Sequence, residues 1–151
     1  MEVPKTNYDI ELSKKETSLK SLLNEVSNYF QSNLKSSKNT IEYLKNRVID
    51  GKTAKEFCIG FSKNSWDDLT KKFGKTEKNI DQLVEAGLII KKDKGGYFDF
   101  FRNRVMFPIR DNQGDVVGFG GRRVDEKDTP KYLNSPETPL FKKSYLLYGL
   151  F

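Results

Sequence analysis

An α+β fold is predicted, with an N-terminal helical layer followed by a small antiparallel sheet and a basic loop. Three observations predict it. Apolar residues recur at three- and four-residue steps over residues 13–34, and again in shorter runs up to Gly87. After Gly87 the apolar period falls to two, and Gly, Asn and Asp turn signals separate the extended runs. Residues 124–139 are polar and rich in Pro.

Residues 1–12 mix Pro, Asn, Asp and Glu with few apolar side chains, and read as a linker or arm that needs a neighbour to order it. In residues 13–34, Leu19, Leu22, Leu23, Val26, Tyr29, Phe30 and Leu34 form one stripe on a long amphipathic helix. The small polar residues of LKSSKN break that pattern. Asn39 or Thr40 caps a second helix carrying Ile41, Tyr43, Leu44 and Val48, and Gly51 marks its end. Thr53 and Glu56 have the spacing of a capping box for a short third helix. Residues 58–61 read as a brief extended piece, with Cys58 as a buried small hydrophobe. Ser65 caps a helix through Trp66, Leu69 and Phe73 that Gly74 ends, and Trp66 is expected as a core anchor. Thr76 caps another, with Ile80, Leu83 and Val84 inward and Gly87 as its stop. Residues 13–87 are the helical part.

Residues 88–151 are the β-rich basic part. Leu88, Ile89 and Ile90 read as a strand, and KKDKGG as a turn. Val105, Phe107 and Ile109 alternate with Arg104, Met106, Pro108 and Arg110. Pro108 cannot donate to a ladder, so that strand has an edge or a bulge there. DNQG at 111–114 is a hairpin turn, and residues 116–124 return as the partner strand. Residues 124–139, VDEKDTPKYLNSPETP, read as one long polar loop, a length that implies function or disorder.

Composition narrows the function. The chain has 151 residues, about one domain, with 27 Lys and Arg against 21 Asp and Glu, a net charge of +6. A positive field attracts polyanions, nucleic acid first, although a Lys-rich surface also serves solubility alone. With one cysteine and no histidine, an intrachain disulfide, a Cys/His zinc site and a His-based nucleophilic mechanism are all excluded within this chain. No signal pattern and no long apolar run is present, and a cytoplasmic protein is the simplest reading.

In a regular strand Arg104 and Arg110 share the face opposite Val105, Phe107 and Ile109, and Arg102 joins them if the strand starts that early. A helical turn at residues 100–102 would spoil that alignment. Guanidinium forks in a row suit phosphates, while the bland alternative is a solvated face or pairing with Asp111 and Asp115. Gly118, Gly120 and Gly121 in VVGFGGRR need a bulge or a close approach to explain them. They form neither a dinucleotide fingerprint nor a Walker loop. Arg122 and Arg123 point to opposite faces, so at most one shares a groove with Arg104. Lys131, Tyr132, Asn134 and Ser135 place a cation, a ring, an amide and a hydroxyl together, a set able to hold a nucleotide. Asp125, Glu126 and Asp128 read as a solvated loop rather than a metal site. The hydrophobic pattern is still running at LYGLF, from which a truncated piece of a longer protein is expected.

The order of RVMFPI, GFGGR, PKYLNSPET and LYGL closely resembles the bacterial replicative DNA primase family. IEYLKNR, FCIGFSKNSWDDL and EAGLI extend the resemblance back to about residue 41. Val48 departs from it, since the family usually has Gly after YLxxR. The resemblance implies the N-terminal part of an RNA polymerase core that makes RNA primers on single-stranded DNA from ribonucleoside triphosphates. It implies a zinc-binding domain before this stretch, then a metal-holding Toprim half and a helicase-binding domain after Phe151, none of them within this chain. It implies divalent metal, Mg or Mn, and zinc for the whole enzyme but none bound here, a monomer, and a replicative helicase as partner. Carried over residue by residue, Arg102, Arg104, Arg122, Lys131, Tyr132, Asn134 and Lys143 become nucleotide- or template-binding positions, with Arg110, Arg123 and Lys142 less secure. No catalytic acid is expected in this chain. A self-sufficient nucleic-acid-binding module and a protein-interaction domain are the competing readings.

Overall fold

The computed structural model describes residues 7–136 and Thr138. The chain opens with helix α1 (Asn7–Lys35), then α2 (Lys38–Lys45), α3 (Gly51–Glu56) and strand β1 (Gly60–Ser62). Helices α4 (Asp68–Phe73) and α5 (Glu77–Glu85) follow, then β2 (Ile89–Lys91), β3 (Tyr97–Asp99), β4 (Arg104–Arg110), β5 (Val116–Arg123) and β6 (Tyr132–Asn134). Strands β1, β4, β5 and β6 form one antiparallel sheet in that order, while β2 and β3 make a separate hairpin. Among the described residues no helix is long and apolar enough to cross a membrane.

The apolar stripe of α1 is borne out. Leu19, Leu22, Leu23, Val26 and Phe30 are buried against one face of the sheet, with the Phe30 ring edge-on to Phe119 at 5.2 Å. The helix begins at Asn7, so residues 7–12 are part of it and not the arm that composition suggested. The other face of the sheet packs Val105 and Phe107 against Leu34, Leu44, Ala54 and Ile59. Where α1 crosses β1, a Cβ on Gly60 would lie 2.5 Å from the Phe30 backbone carbon, so glycine permits the contact. The Asn33 side chain donates to the Phe61 carbonyl at 3.2 Å, which satisfies part of the β1 edge.

Local signals set the helix ends, often one step from the predicted residue. Ser37, not Asn39 or Thr40, precedes α2, and its hydroxyl lies 2.7 Å from that of Thr40. Gly51 starts α3 rather than ending α2, and Asp50, not Thr53, is the cap, accepting from the Thr53 N–H. Thr76 caps α5 as expected. Helices α2, α3 and α5 end in one shared way. Ile49, Ile59 and Leu88 donate five residues back, to the carbonyls of Leu44, Ala54 and Leu83. The residue before each, Val48, Cys58 or Gly87, takes a left-handed φ of 62°, 56° or 74°. That is the Schellman stop, in which the donor's side chain folds back onto the last turn. It brings Ile49, Ile59 and Leu88 to the core. Cys58 is half-buried at this stop rather than a core residue.

Three further expectations are corrected. Ser65 does not cap α4, which begins three residues later behind Asp67. Val84 faces outward, because α5 turns only Leu83 fully inward. The stretch from residue 124 is not one loop, since Tyr132–Asn134 adds β6 to the sheet. Pro108 meets its rule twice over. Strand β1 pairs only with Arg104–Met106, leaving β4 open beside Pro108, and a register shift follows at Ile109 and Arg110.

Candidate nucleic-acid interface

Strands β4 and β5 bring the arginines in. Arg104 pairs with Arg123 and Val105 with Arg122, so Arg104 and Arg122 lie on opposite faces of the sheet. The expected row of Arg102, Arg104 and Arg110 does not form. Asn103 takes a left-handed φ of 53° and turns the chain just before β4, which leaves Arg102 outside the strand. Arg110 sits at the far end of β4 and donates to the Gly114 carbonyl at 2.8 Å. Asp111 and Asp115 are not partners of the arginines, since Lys20 of α1 reaches both at 3.2 Å.

Arg102 and Arg104 nonetheless converge. Both line a cleft of about 310 Å³ with Trp66, Lys127, Asp128 and Leu133. Trp66 is 63% exposed, not a core anchor. The Asp99 N–H donates to its carbonyl at 2.7 Å, which ties its backbone to β3 and leaves the ring at the surface. The Arg102 guanidinium lies 4.0 Å above that ring and donates to the Asp99 carbonyl. Arg104 is only 3% exposed, and its guanidinium donates to the Lys131 carbonyl at 3.4 Å. Burial holds Arg104 below its ordinary pKa, nearby Arg102 and Arg123 add to this, and Asp128 opposes it. Glycine makes room here. A Cβ on Gly121 would sit 3.1 Å from Arg104 Cδ and 3.0 Å from Met106 Sδ. This is the close approach that the Gly-rich strand called for.

A second cavity, of about 230 Å³, lies beyond the Lys131 backbone and is lined by Tyr43, Arg47, Arg122, Arg123, Glu126 and Lys131. The Lys131 carbonyl also accepts from the Arg123 N–H at 3.0 Å, so this one residue joins the two cavities. Cations and rings alternate. Arg47 lies 4.5 Å over Tyr43, and Arg122 is 5.9 Å from Tyr43 and 5.5 Å from Tyr132. Among the described residues, Arg122 Nε is buried without a hydrogen-bond partner. Tyr132 and Asn134 stand exposed on β6, opposite Arg122 and Gly120. Tyr43 and Glu126 also line a wider polar depression of about 670 Å³. Lys142 and Lys143 lie outside the described residues.

Sequence reasoning missed Arg47, Trp66, Lys127 and Asp128 as members of the site. The Tyr43–Arg47 spacing of four was the available signal for Arg47, since on the predicted second helix it places the pair on one face; in the structure Arg47 lies in the turn just past α2 and still covers the ring. Asp128 is more than a solvated loop acid, because it accepts from the Asn103 side chain at 3.0 Å. Among the described residues, no carboxylate lies within ion-pair distance of Arg47, Arg102, Arg104, Arg122 or Lys131. No group of three or more Asp, Glu, Cys or His converges among them either. The described side chains do not fit a metal centre. What the arrangement offers is fixed positive charge and aromatic faces, the means to hold phosphates and stack bases.

The chain is 45% identical over 141 residues to the DNA primase of Legionella pneumophila, spanning 93% of this chain and 24% of that protein. It is 49% identical over 110 residues to the DNA primase of Escherichia coli K12, spanning 73% of this chain and 19% of that one. The chain thus spans about a quarter or less of the length of these relatives. A solved DnaG primase catalytic domain bound to ssDNA superposes with a TM-score of 0.86 at 41% identity, over 91% of this chain and 45% of that one. The RNA polymerase domain of Mycobacterium tuberculosis primase DnaG, in complex with double-stranded DNA, gives 0.80 at 34% identity, over 89% and 43%. The family described as DNA primase catalytic core, N-terminal domain, matches residues 29–151, and the chain belongs to that family.

Proposed function

We propose that this chain supplies the phosphate-gripping wall of a primase, which makes short RNA primers on single-stranded DNA from ribonucleoside triphosphates. The observation that carries the reading is the convergence of Arg102 and Arg104 in one cleft with, among the described residues, no carboxylate at ion-pair distance. A buried guanidinium without an ion-pair partner gains most when a phosphate arrives. Arg102, Arg104 and the Trp66 ring would hold the template strand, by charge and by stacking. Arg122, Lys131 and Tyr132, with Arg47, would hold a second polyphosphate across the Lys131 ridge, and Asn134 at its edge would contact the sugar or base. Lys143 is assigned with them by resemblance alone.

These groups orient and neutralise, and none of them moves a proton. Divalent metal, Mg or Mn, would neutralise the leaving pyrophosphate, and the acids that hold it are assigned to the Toprim half implied by the resemblance. Zinc and the helicase contact are assigned to the other implied domains.

The test is a salt series of single-stranded DNA binding by the full-length protein, with primer synthesis followed alongside. Arg102→Ala should flatten the log-log salt slope by about 0.7, the increment expected for one phosphate contact on a single strand, and Arg102→Ala and Arg122→Ala should each reduce primer yield. Arg110→Ala, outside the cleft, should leave both unchanged. A wild-type slope for Arg102→Ala, or a wild-type primer yield for either variant, would remove that residue from the site.

A further inference from the structure

A second cavity system lies on the other side of α2 and shares no lining residue with the basic cavities. It is an apolar groove of about 300 Å³ floored by Leu34, Ile41, Ile49 and Ile59. Its rim carries Lys35, Lys45 and Lys55, all exposed. Among the described residues none of these three lysines has an ion-pair partner. The one acid on the rim, Asp50, already accepts from the Thr53 N–H as the cap of α3.

We propose that this groove docks a short acidic segment of a protein partner, one that inserts apolar side chains between the three lysines. The charge of the rim selects the occupant. Three free cations around an apolar floor suit carboxylates flanking large hydrophobes. A nucleic-acid strand would satisfy the rim but leave the floor empty. A second copy of this chain brings a net charge of +6 against the same rim. The volume is at the small end for ligand pockets, room for a few anchor side chains rather than for a broad face.

Helix α2 is the shared wall. Ile41, Leu44 and Lys45 line the groove, while Tyr43 of the same helix and Arg47, just past its end, line the basic cavity. The two sites are therefore open to occupation together.

The probe is a fluorescein-labelled peptide of about ten residues, with Leu and Phe at helical spacing and Asp and Glu elsewhere. Anisotropy is read on the full-length protein across a salt series. Two variants test the groove. One is the triple change Lys35→Glu, Lys45→Glu and Lys55→Glu. The other is Gly51→Phe, where an added Cβ meets nothing within 4 Å and the ring fills the groove mouth at the exposed start of α3. The expected result is saturable binding that each variant weakens about tenfold, the sum of three exposed charge contacts or the loss of one anchor. Saturating oligo-dT should leave it unchanged. The proposal is overturned by absence of saturable binding, by equal binding to both variants, or by displacement with oligo-dT. It is also overturned by a wild-type dimer in sedimentation that Gly51→Phe dissolves, since the groove would then hold a second copy.

Discussion

Val48→Gly should make this protein more stable. Val48 occupies the left-handed stop after α2 with φ 62°, the place that Gly87 fills after α5 with φ 74°. A branched side chain there costs about 1–2 kcal/mol in steric strain. The side chain is 94% exposed, so deleting it loses no burial. Against the gain stands the larger freedom of glycine in the unfolded chain, worth about 0.4–1 kcal/mol. The net is a stabilisation of about 0.5–1 kcal/mol. With a urea slope of about 2 kcal/mol/M the unfolding midpoint rises by about 0.3–0.5 M. Val48→Ala is the control, since it trims the side chain but keeps the Cβ that causes the strain. A midpoint that falls for Val48→Gly, or rises no more than for Val48→Ala, would refute the reasoning.

Three other expectations follow from the same contacts. Asp99 is 2% exposed, and burial, with repulsion from Asp68 and Asp67 behind it, pushes its carboxyl from 3.8 to about 6 against the donated Leu69 and Thr70 N–H groups. The folded state holds that proton more tightly than the unfolded chain, so stability should fall as pH rises from 3.8 to about 6. Asp99→Asn keeps an acceptor for the Leu69 N–H and should remove that fall, adding about 1–3 kcal/mol at neutral pH in denaturant titrations; an unchanged pH profile would exclude Asp99 as its source. Gly60→Ala must move α1 off β1, because a 2.5 Å contact with backbone leaves nothing flexible to yield, and should cost about 1–3 kcal/mol by thermal melting. A wild-type melting temperature would show that the crossing is looser than described. Trp66 is the sole tryptophan of this chain, so oligo-dT entering the Arg102–Arg104 cleft should change its emission, and Arg104→Lys should weaken that response by removing the fork. Emission that ignores the oligonucleotide while binding proceeds would place the strand elsewhere.

The sequence by itself determined the pieces whose physics is local. The stripe on α1, the Thr76 cap, the Gly87 stop and the two-residue alternation of β4 each follow from spacing within a few residues. The family was legible for a related reason, since runs such as PKYLNSPET keep their order along the chain whatever surrounds them. What only the tertiary structure decided was which side chains meet. A tryptophan that reads as core is held outward by a β3 hydrogen bond from thirty-three residues away. Arg104, read as one of a row of arginines on a strand face, is buried because Gly121 on the neighbouring strand gives its side chain room. Arg104 and Arg122 fall on opposite faces of the sheet, yet the carbonyl of Lys131 joins their cavities. Pairing register and backbone approach fix such meetings, and both depend on residues far apart in the chain, where periodicity carries no information.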